Sequence, residues 1–170
     1  MSVDEHKQAV KGPVRCGIIT VSDTRTVDTD KSGRLMKEKL LEHNHEILRS
    51  SIVPDEKASI LQELHENIAH PSMDVILLNG GTGIAARDVT IEAVESVFEK
   101  EMPGFGEIFR MLSYTEDIGS AAILSRAAAG VAGGKAVFST PGSTGAVKLA
   151  MDKLILPELH HVVRELRKDQ

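Results

Sequence analysis

Four consecutive apolar residues, Val75-Ile76-Leu77-Leu78, run straight into Asn79-Gly80-Gly81-Thr82-Gly83, and this junction limits the folds open to the chain more than any other stretch. An uninterrupted apolar run of strand length reads as a strand covered on both faces, as in a parallel sheet between helices. The glycines that follow let the backbone take positive φ and approach a ligand closely, and successive peptide N–H groups in such a turn form an anion-binding nest. Thr90 reads as the N-cap of a helix over IEAVESVFEK, whose positive end faces the same crevice. Between turn and helix lie Arg87, a guanidinium matched to phosphate, and Asp88, a carboxylate able to hold Mg²⁺. The same two residues can instead pair with each other and cap the helix. The turn has neither the Lys-Ser/Thr ending of a P-loop nor the GxGxxG spacing of a dinucleotide site.

Strand and helix patterns alternate around this junction, the signature of a layered α/β sheet with crossover connections. Val14 to Val21 reads as the first strand, followed by the polar loop SDTRTVDTDK and a helix capped at Ser32 with Leu35, Met36, Leu40 and Leu41 on one side. Glu46 to Val53 is a second strand, broken at Pro54-Asp55. Lys57 to Ala69 then places Ile60, Leu61, Leu64 and Ile68 at helical spacing. Pro103-Gly104-Phe105-Gly106 reads as a turn ahead of a helix carrying Ile108, Phe109 and Leu112. A short helix follows, and then AAGV and KAVF are joined at Ala132-Gly133-Gly134 like a hairpin. The turn Pro141-Gly142-Ser143 precedes a helix over Thr144 to Ile155, and Pro157 starts a last amphipathic helix ending near Lys168.

A chain of 170 residues with 41% hydrophobic content suits one compact unit, read as a single domain over residues 13–170 behind a flexible arm over residues 1–12. A net charge of −5 argues against a nucleic-acid partner, which requires a basic face. No apolar run reaches the roughly 20 residues needed to span a bilayer, and the polar N-terminus lacks a signal-peptide core, so the expected location is cytoplasmic with no membrane contact. The single cysteine, Cys16, sits in a strand-like run and reads as a small core residue.

Ligands in open α/β sheets sit beyond the carboxyl ends of the strands. Four loops meet that condition: Ser22-Asp23, Asp55-Glu56, Gly80 to Asp88, and Pro141-Gly142-Ser143. Three carry a carboxylate, which beside phosphate implies a bridging Mg²⁺. Against this, Asp23 suits a turn, and Asp55 taken alone reads as a helix cap. Ser125-Arg126 offers a hydroxyl and a second guanidinium, or an ordinary loop ion pair. The histidines lack metal-ligand spacing: His65 and His70 miss the i, i+4 pattern, and His160 and His161 point about 100° apart on a helix. No Ser-His-Asp arrangement is visible.

Taken in order, TVSD (20–23), DKSG (30–33), PDE (54–56), NGGTG and RDVT (79–90), EMPGFGE (101–107), AILSRA (122–127) and PGS (141–143) resemble the MogA/MoaB group of molybdenum-cofactor biosynthesis proteins, related to the G domain of gephyrin. The match spans nearly the whole chain and is closest to the MoaB branch. The resemblance implies a three-layer α/β/α sandwich with a mostly parallel mixed sheet that binds molybdopterin. In active members it also implies adenylylation of molybdopterin by ATP with Mg²⁺, with no tightly bound prosthetic group. It carries Asp55 and Asp88 over as catalytic, Mg²⁺-linked carboxylates. Ser22, Asp23, Gly80, Gly81, Thr82, Gly83, Arg87, Thr90, Ser125 and Arg126 become substrate-binding residues, and Pro103, Gly104, Glu107, Pro141, Gly142 and Ser143 nucleotide-binding residues. It further implies a homotrimer or homohexamer and other proteins of the pathway as partners. The last loop, PGSTGAV, departs from the PG-x-P type of the MogA-like pattern. That departure supports an alternative, a non-catalytic molybdopterin-binding or assembly protein.

Overall fold

A computed structural model describes residues 12–170; residues 1–11 of the expected arm lie outside the described residues. The strands are β1 (Arg15–Val21), β2 (Glu46–Val53), β3 (Val75–Asn79), β4 (Lys100–Glu101), β5 (Ala128–Ala132) and β6 (Lys135–Thr140). The helices are α1 (Lys31–Glu42), α2 (Lys57–Ala69), α3 (Thr90–Glu95), α4 (Pro103–Glu116), α5 (Thr144–Ala150) and α6 (Leu156–Arg167). The sheet order is β2-β1-β3-β6-β5-β4, with β2, β1, β3 and β6 parallel and β5 and β4 antiparallel.

Residue alternation sorts the core into two layers. Ile18, Leu77 and Phe138, aligned across β1, β3 and β6, face Met36, Leu40, Phe109, Val147 and Leu159 of α1, α4, α5 and α6. Ile19, Leu78 and Val137 face the opposite way, onto Ile60 and Leu64 of α2 and Ala93 and Val94 of α3. Ile76 and Leu77, neighbours on β3, therefore enter different layers, and both are fully buried, as a strand covered on two faces demands. The result is the expected α/β/α sandwich. Cys16 lies in the first layer, where burial pushes its thiol up to about 12, so it remains a protonated core residue. Among the described residues no helix is long and apolar enough to cross a membrane.

Several local expectations fail for physical reasons. The cap of α1 is Asp30, whose Oδ1 accepts from Gly33 N at 2.9 Å, and Ser32 lies inside the helix. Leu41 points outward. Thr90 is the first residue of α3 rather than its cap, and α3 stops at Glu95 because the chain is needed at Lys100–Glu101 to close the antiparallel edge against β5. Pro103-Gly104-Phe105-Gly106 is not a turn but the first turn of α4, with Pro103 using the position where a missing N–H costs nothing. The segment Gly119–Leu124 is 3₁₀. The two helices expected after Ser143 form one rod, α5 to α6, joined through a π-helical turn at Met151–Ile155. Leu156 N donates to Met151 O, five residues back, and this wider turn admits Pro157, which has no N–H for Lys153. The Gly133-Gly134 hairpin turn is as expected, with φ of 56° and 73°, the left-handed values a two-residue turn requires.

Candidate functional site

The carboxyl ends of β1, β3 and β6 open into a crevice of about 450 Å³, bounded by the loops after those strands and by the loop after β2. The chain leaves β1 for β2 on one side and returns to β3 on the other, so the crevice lies at a topological switch point. Gly80 and Gly81 form its floor at φ 95° and 65°. A Cβ on Gly80 would run into the Val21 carbonyl, and one on Gly81 would come 2.9 Å from Asp55 Oδ1. Thr90 N donates to Gly81 O at 3.0 Å, tying the start of α3 to the turn. The Thr90 hydroxyl is buried beside Gly81 and makes no hydrogen bond.

The carboxylates gather at one end. Asp23 N donates to Asp55 Oδ2 at 3.1 Å and Asp55 N donates to Asp23 Oδ1 at 3.0 Å, so each backbone holds the other's side chain and the two acids sit together. Asp55 therefore does not cap α2, whose N-cap position is taken by Glu56 with no side-chain bond to the backbone of the first turn. Burial, then the charge of Asp23, with Asp88 adding to them, raise the Asp55 carboxyl above the usual range. Asp88 accepts from Ala85 N at 2.9 Å and lies against Gly83, where a Cβ would be 2.6 Å from its Oδ2. Asp55 and Asp88 thus flank the two glycines on either side of Thr82. No three His, Cys, Asp or Glu side chains converge into a cation cage among the described residues. Mg²⁺ does not need one, because it keeps waters and uses one or two carboxylates together with substrate phosphate oxygens. Asp55 and Asp88 fit that mode.

Arg87 does not pair with Asp88; it pairs with Asp23 across the crevice mouth and is largely exposed. Arg126 is committed to the protein itself. Its Nε donates at 3.0 Å to both Thr82 O and Gly83 O, Nη2 donates to Asp88 O at 3.1 Å, and the guanidinium closes on Glu92. It holds the loop that carries Asp88. Ser125 lines the crevice. Ser22 Oγ accepts from Thr24 N and Arg25 N, shaping the loop after β1. Pro141 and Gly142 line the opposite wall, while the Ser143 hydroxyl caps α5 by accepting from Ala146 N.

Pro103 and Glu107 line a separate cleft of about 170 Å³ beside the antiparallel edge, with Gly104 next to them on α4. Conversely, the crevice includes Arg25, which no sequence motif singles out and whose Nη2 donates to Gly142 O at 2.8 Å. Its only local signal is a lone guanidinium in a loop of hydroxyls and acids.

The sequence pattern of the family described as "Probable molybdopterin binding domain" matches residues 17–161. Over 170 residues, all of both chains, the sequence is 65% identical to molybdenum cofactor biosynthesis protein B of Bacillus subtilis (strain 168). Among solved structures, a molybdenum cofactor biosynthesis protein B superposes with a TM-score of 0.92 at 56% identity, covering 94% of this chain and 99% of that one. The tungsten cofactor synthesizing protein MoaB of Pyrococcus furiosus superposes with a TM-score of 0.83 at 41% identity, covering 94% and 99%.

Proposed function

The chain belongs to the molybdopterin-binding domain family of molybdenum cofactor biosynthesis, and from that premise we propose that it binds molybdopterin in this crevice and adenylylates it with ATP and Mg²⁺. The terminal phosphate oxygen of molybdopterin attacks the α-phosphorus of ATP, the bond to the β-phosphate oxygen breaks, and pyrophosphate leaves with that electron pair. Positioning and charge neutralisation do most of the work in such a transfer. The amides of Gly81, Thr82 and Gly83 hold the molybdopterin phosphate, with the buried Thr90 hydroxyl behind Gly81 and the Gly80 amide spent on the Thr140 carbonyl, while Pro141, Gly142 and Ser143 carry the nucleotide side. Asp55 and Asp88 would hold Mg²⁺, which when bound would supply neutralisation of phosphate charge. Arg126 keeps Asp88 in place through its carbonyl.

The observation that carries this reading is the state of Asp55. A partly buried carboxylate beside Asp23, with a third acid across the turn and only the exposed Arg87 on Asp23 to offset them, leaves negative charge that a divalent cation would neutralise. Purified protein given molybdopterin, ATP and Mg²⁺ is expected to release adenylyl-molybdopterin and pyrophosphate, and Asp55→Asn and Asp88→Asn each to abolish the release. Molybdopterin binding without product by the parent rejects the transferase reading. It leaves the second one, a non-catalytic binding or assembly protein, which the PGSTGAV loop favours.

The same proposal includes self-association in the cytoplasm. Ile108, Met111 and Tyr114 are exposed by 44, 55 and 60% on one side of α4, and Ile118, Ile123 and Leu124 extend the strip by 47, 83 and 51%. Exposed apolar side chains gathered on one helix and the segment after it mark an interaction surface, and the occupant we infer for it is a second copy. A mass of one 18.4 kDa chain by light scattering rejects that part.

A further inference from the structure

Of the three guanidinium groups at the crevice, two are spent: Arg87 on Asp23, and Arg126 on Thr82, Gly83, Asp88 and Glu92. Arg25 is held differently. Its Nη2 donates to Gly142 O at 2.8 Å and its Nη1 to Asn79 Oδ1 at 3.5 Å, while the side chain keeps 30% of its exposure and lines the crevice. A guanidinium has five N–H donors in a fixed fork, so these two contacts orient the group without saturating it. Asp30 Oδ1 lies 3.7 Å from Nη1, but Asp30 already accepts from Thr20 Oγ1 at 2.7 Å and Gly33 N at 2.9 Å, so its charge is shared with the buried cap of α1.

The position is as telling as the donors. Gly80 and Gly142 meet backbone to backbone beside Arg25: a Cβ on Gly142 would lie 3.0 Å from Gly80 Cα and 3.8 Å from Arg25 Nη1. Gly81 and Gly83 face the carboxylates Asp55 and Asp88 instead. The crevice therefore carries its carboxylates against Gly81 and Gly83 and its lining guanidinium against Gly142, with the bare backbone of the glycine turn joining them. We propose that Arg25 binds an anionic oxygen of the molybdopterin phosphate at the Gly80 end of the turn, where that turn meets Gly142 and the nucleotide side begins. The inference rests on the crevice being the site of a phosphorylated pterin, and it is independent of whether adenylyl transfer follows.

Ser32 makes the test clean. Its hydroxyl donates to the same Gly142 carbonyl at 2.6 Å, so Ser32→Ala loosens that carbonyl and leaves the charge of Arg25 in place. Equilibrium binding of molybdopterin and of its dephosphorylated form is measured for the parent, Arg25→Gln, Arg25→Lys and Ser32→Ala, with folding checked by circular dichroism. Arg25→Gln is expected to weaken molybdopterin by about tenfold or more, as loss of one charge-assisted phosphate contact does. It leaves the dephosphorylated form unaffected; Arg25→Lys recovers part of the loss and Ser32→Ala changes neither ligand appreciably. Equal weakening of both forms by Arg25→Gln and Ser32→Ala means that Arg25 only braces the loop, and the proposal fails. It fails equally if the parent binds the two forms alike. If Arg25→Gln does not fold, Arg25→Lys, which keeps the charge and loses the fork, decides by whether it weakens only the phosphorylated form. A parent that binds molybdopterin without making product overturns adenylyl transfer alone.

Discussion

Asp74 and Asp55 sit at opposite ends of the parallel part of the sheet and are in opposite electrostatic states. Asp74 precedes β3. Its oxygens accept from Arg15 N at 2.9 Å, Arg15 Nε at 3.0 Å, Arg15 Nη2 at 3.2 Å and Arg167 Nη2 at 2.5 Å. Burial pushes its carboxyl up, but the hydrogen bonds from Arg15 and Arg167 outweigh burial and hold it below the usual range. Asp55 has burial and a neighbouring acid where Asp74 has two guanidiniums, and the exposed Arg87, paired with that neighbour, only partly offsets them, so Asp55 is shifted upward. The amino end of the sheet is a finished contact that ties β1 and α6 to β3. The carboxyl end is unfinished, and an unfinished carboxylate costs stability unless something binds there.

The largest effect is expected from breaking the finished end. Asp74→Ala removes a buried carboxylate that accepts from Arg15 and Arg167. Since both guanidiniums are more than a third exposed, the cost is expected to be about 3 kcal/mol, the upper value for hydrogen bonds to a charged group rather than that of a fully buried pair. Urea unfolding at neutral pH measures it; a loss below about 1 kcal/mol would show that the cluster is solvated and the contrast with Asp55 overstated.

A second test of the closed end uses pH. His45 is buried beside the start of β1, and its Nδ1 accepts from Val14 N at 3.2 Å. Burial, then the nearby His160 and His43, lower its pKa from 6.5 to about 4. The folded state therefore holds His45 neutral while the unfolded chain takes up the proton first. The stabilisation is complete above pH 6.5 and is lost as pH falls toward 4, by about 2–3 kcal/mol near the lower end. Subtracting the pH dependence of His45→Gln from that of the parent isolates this share from the carboxylates. Parallel curves for the two proteins would refute it.

These contacts also mark how far the sequence could be read. The strands β1, β2 and β3 were legible because apolar runs and alternation are local, and Asp55 and Asp88 because strand ends in an α/β sheet are predictable places. Arg25 was not, since its partners Asn79 and Gly142 lie 54 and 117 residues away and nothing near Arg25 announces them. Arg126 was visible as a cation, but its commitment to the Thr82 and Gly83 carbonyls appears only when the loops meet. At Pro103 to Gly106 the local signal misled. Two glycines and a proline read as a turn, yet the proline begins α4, and Gly106 is small because a Cβ there would be 2.5 Å from the Ala127 carbonyl. Strand β4 has two residues, Lys100 and Glu101, and is defined by its backbone bonds to β5 rather than by any side-chain pattern.

The sharpest form of the contrast is a substitution that should harm function and help the fold. Replacing Asp55 by Asn keeps an oxygen able to accept from Asp23 N and removes a charge that burial and Asp23 both disfavour. A carboxyl whose folded pKa is raised contributes stability below its unfolded value and loses it as pH rises through the folded one, so at neutral pH the parent carries the whole cost. Asp55→Asn is therefore expected to unfold at a higher temperature than the parent at pH 7, with the gain shrinking as pH falls toward the carboxylate range. Its turnover is expected to fall by about 100-fold or more, about 2.7 kcal/mol of transition-state stabilisation. Calorimetry without ligand and product release with ATP and Mg²⁺ read the two halves separately. A variant that lost stability along with turnover would mean that Asp55 is a structural acid like Asp74, and the two ends of the sheet would then no longer differ in kind.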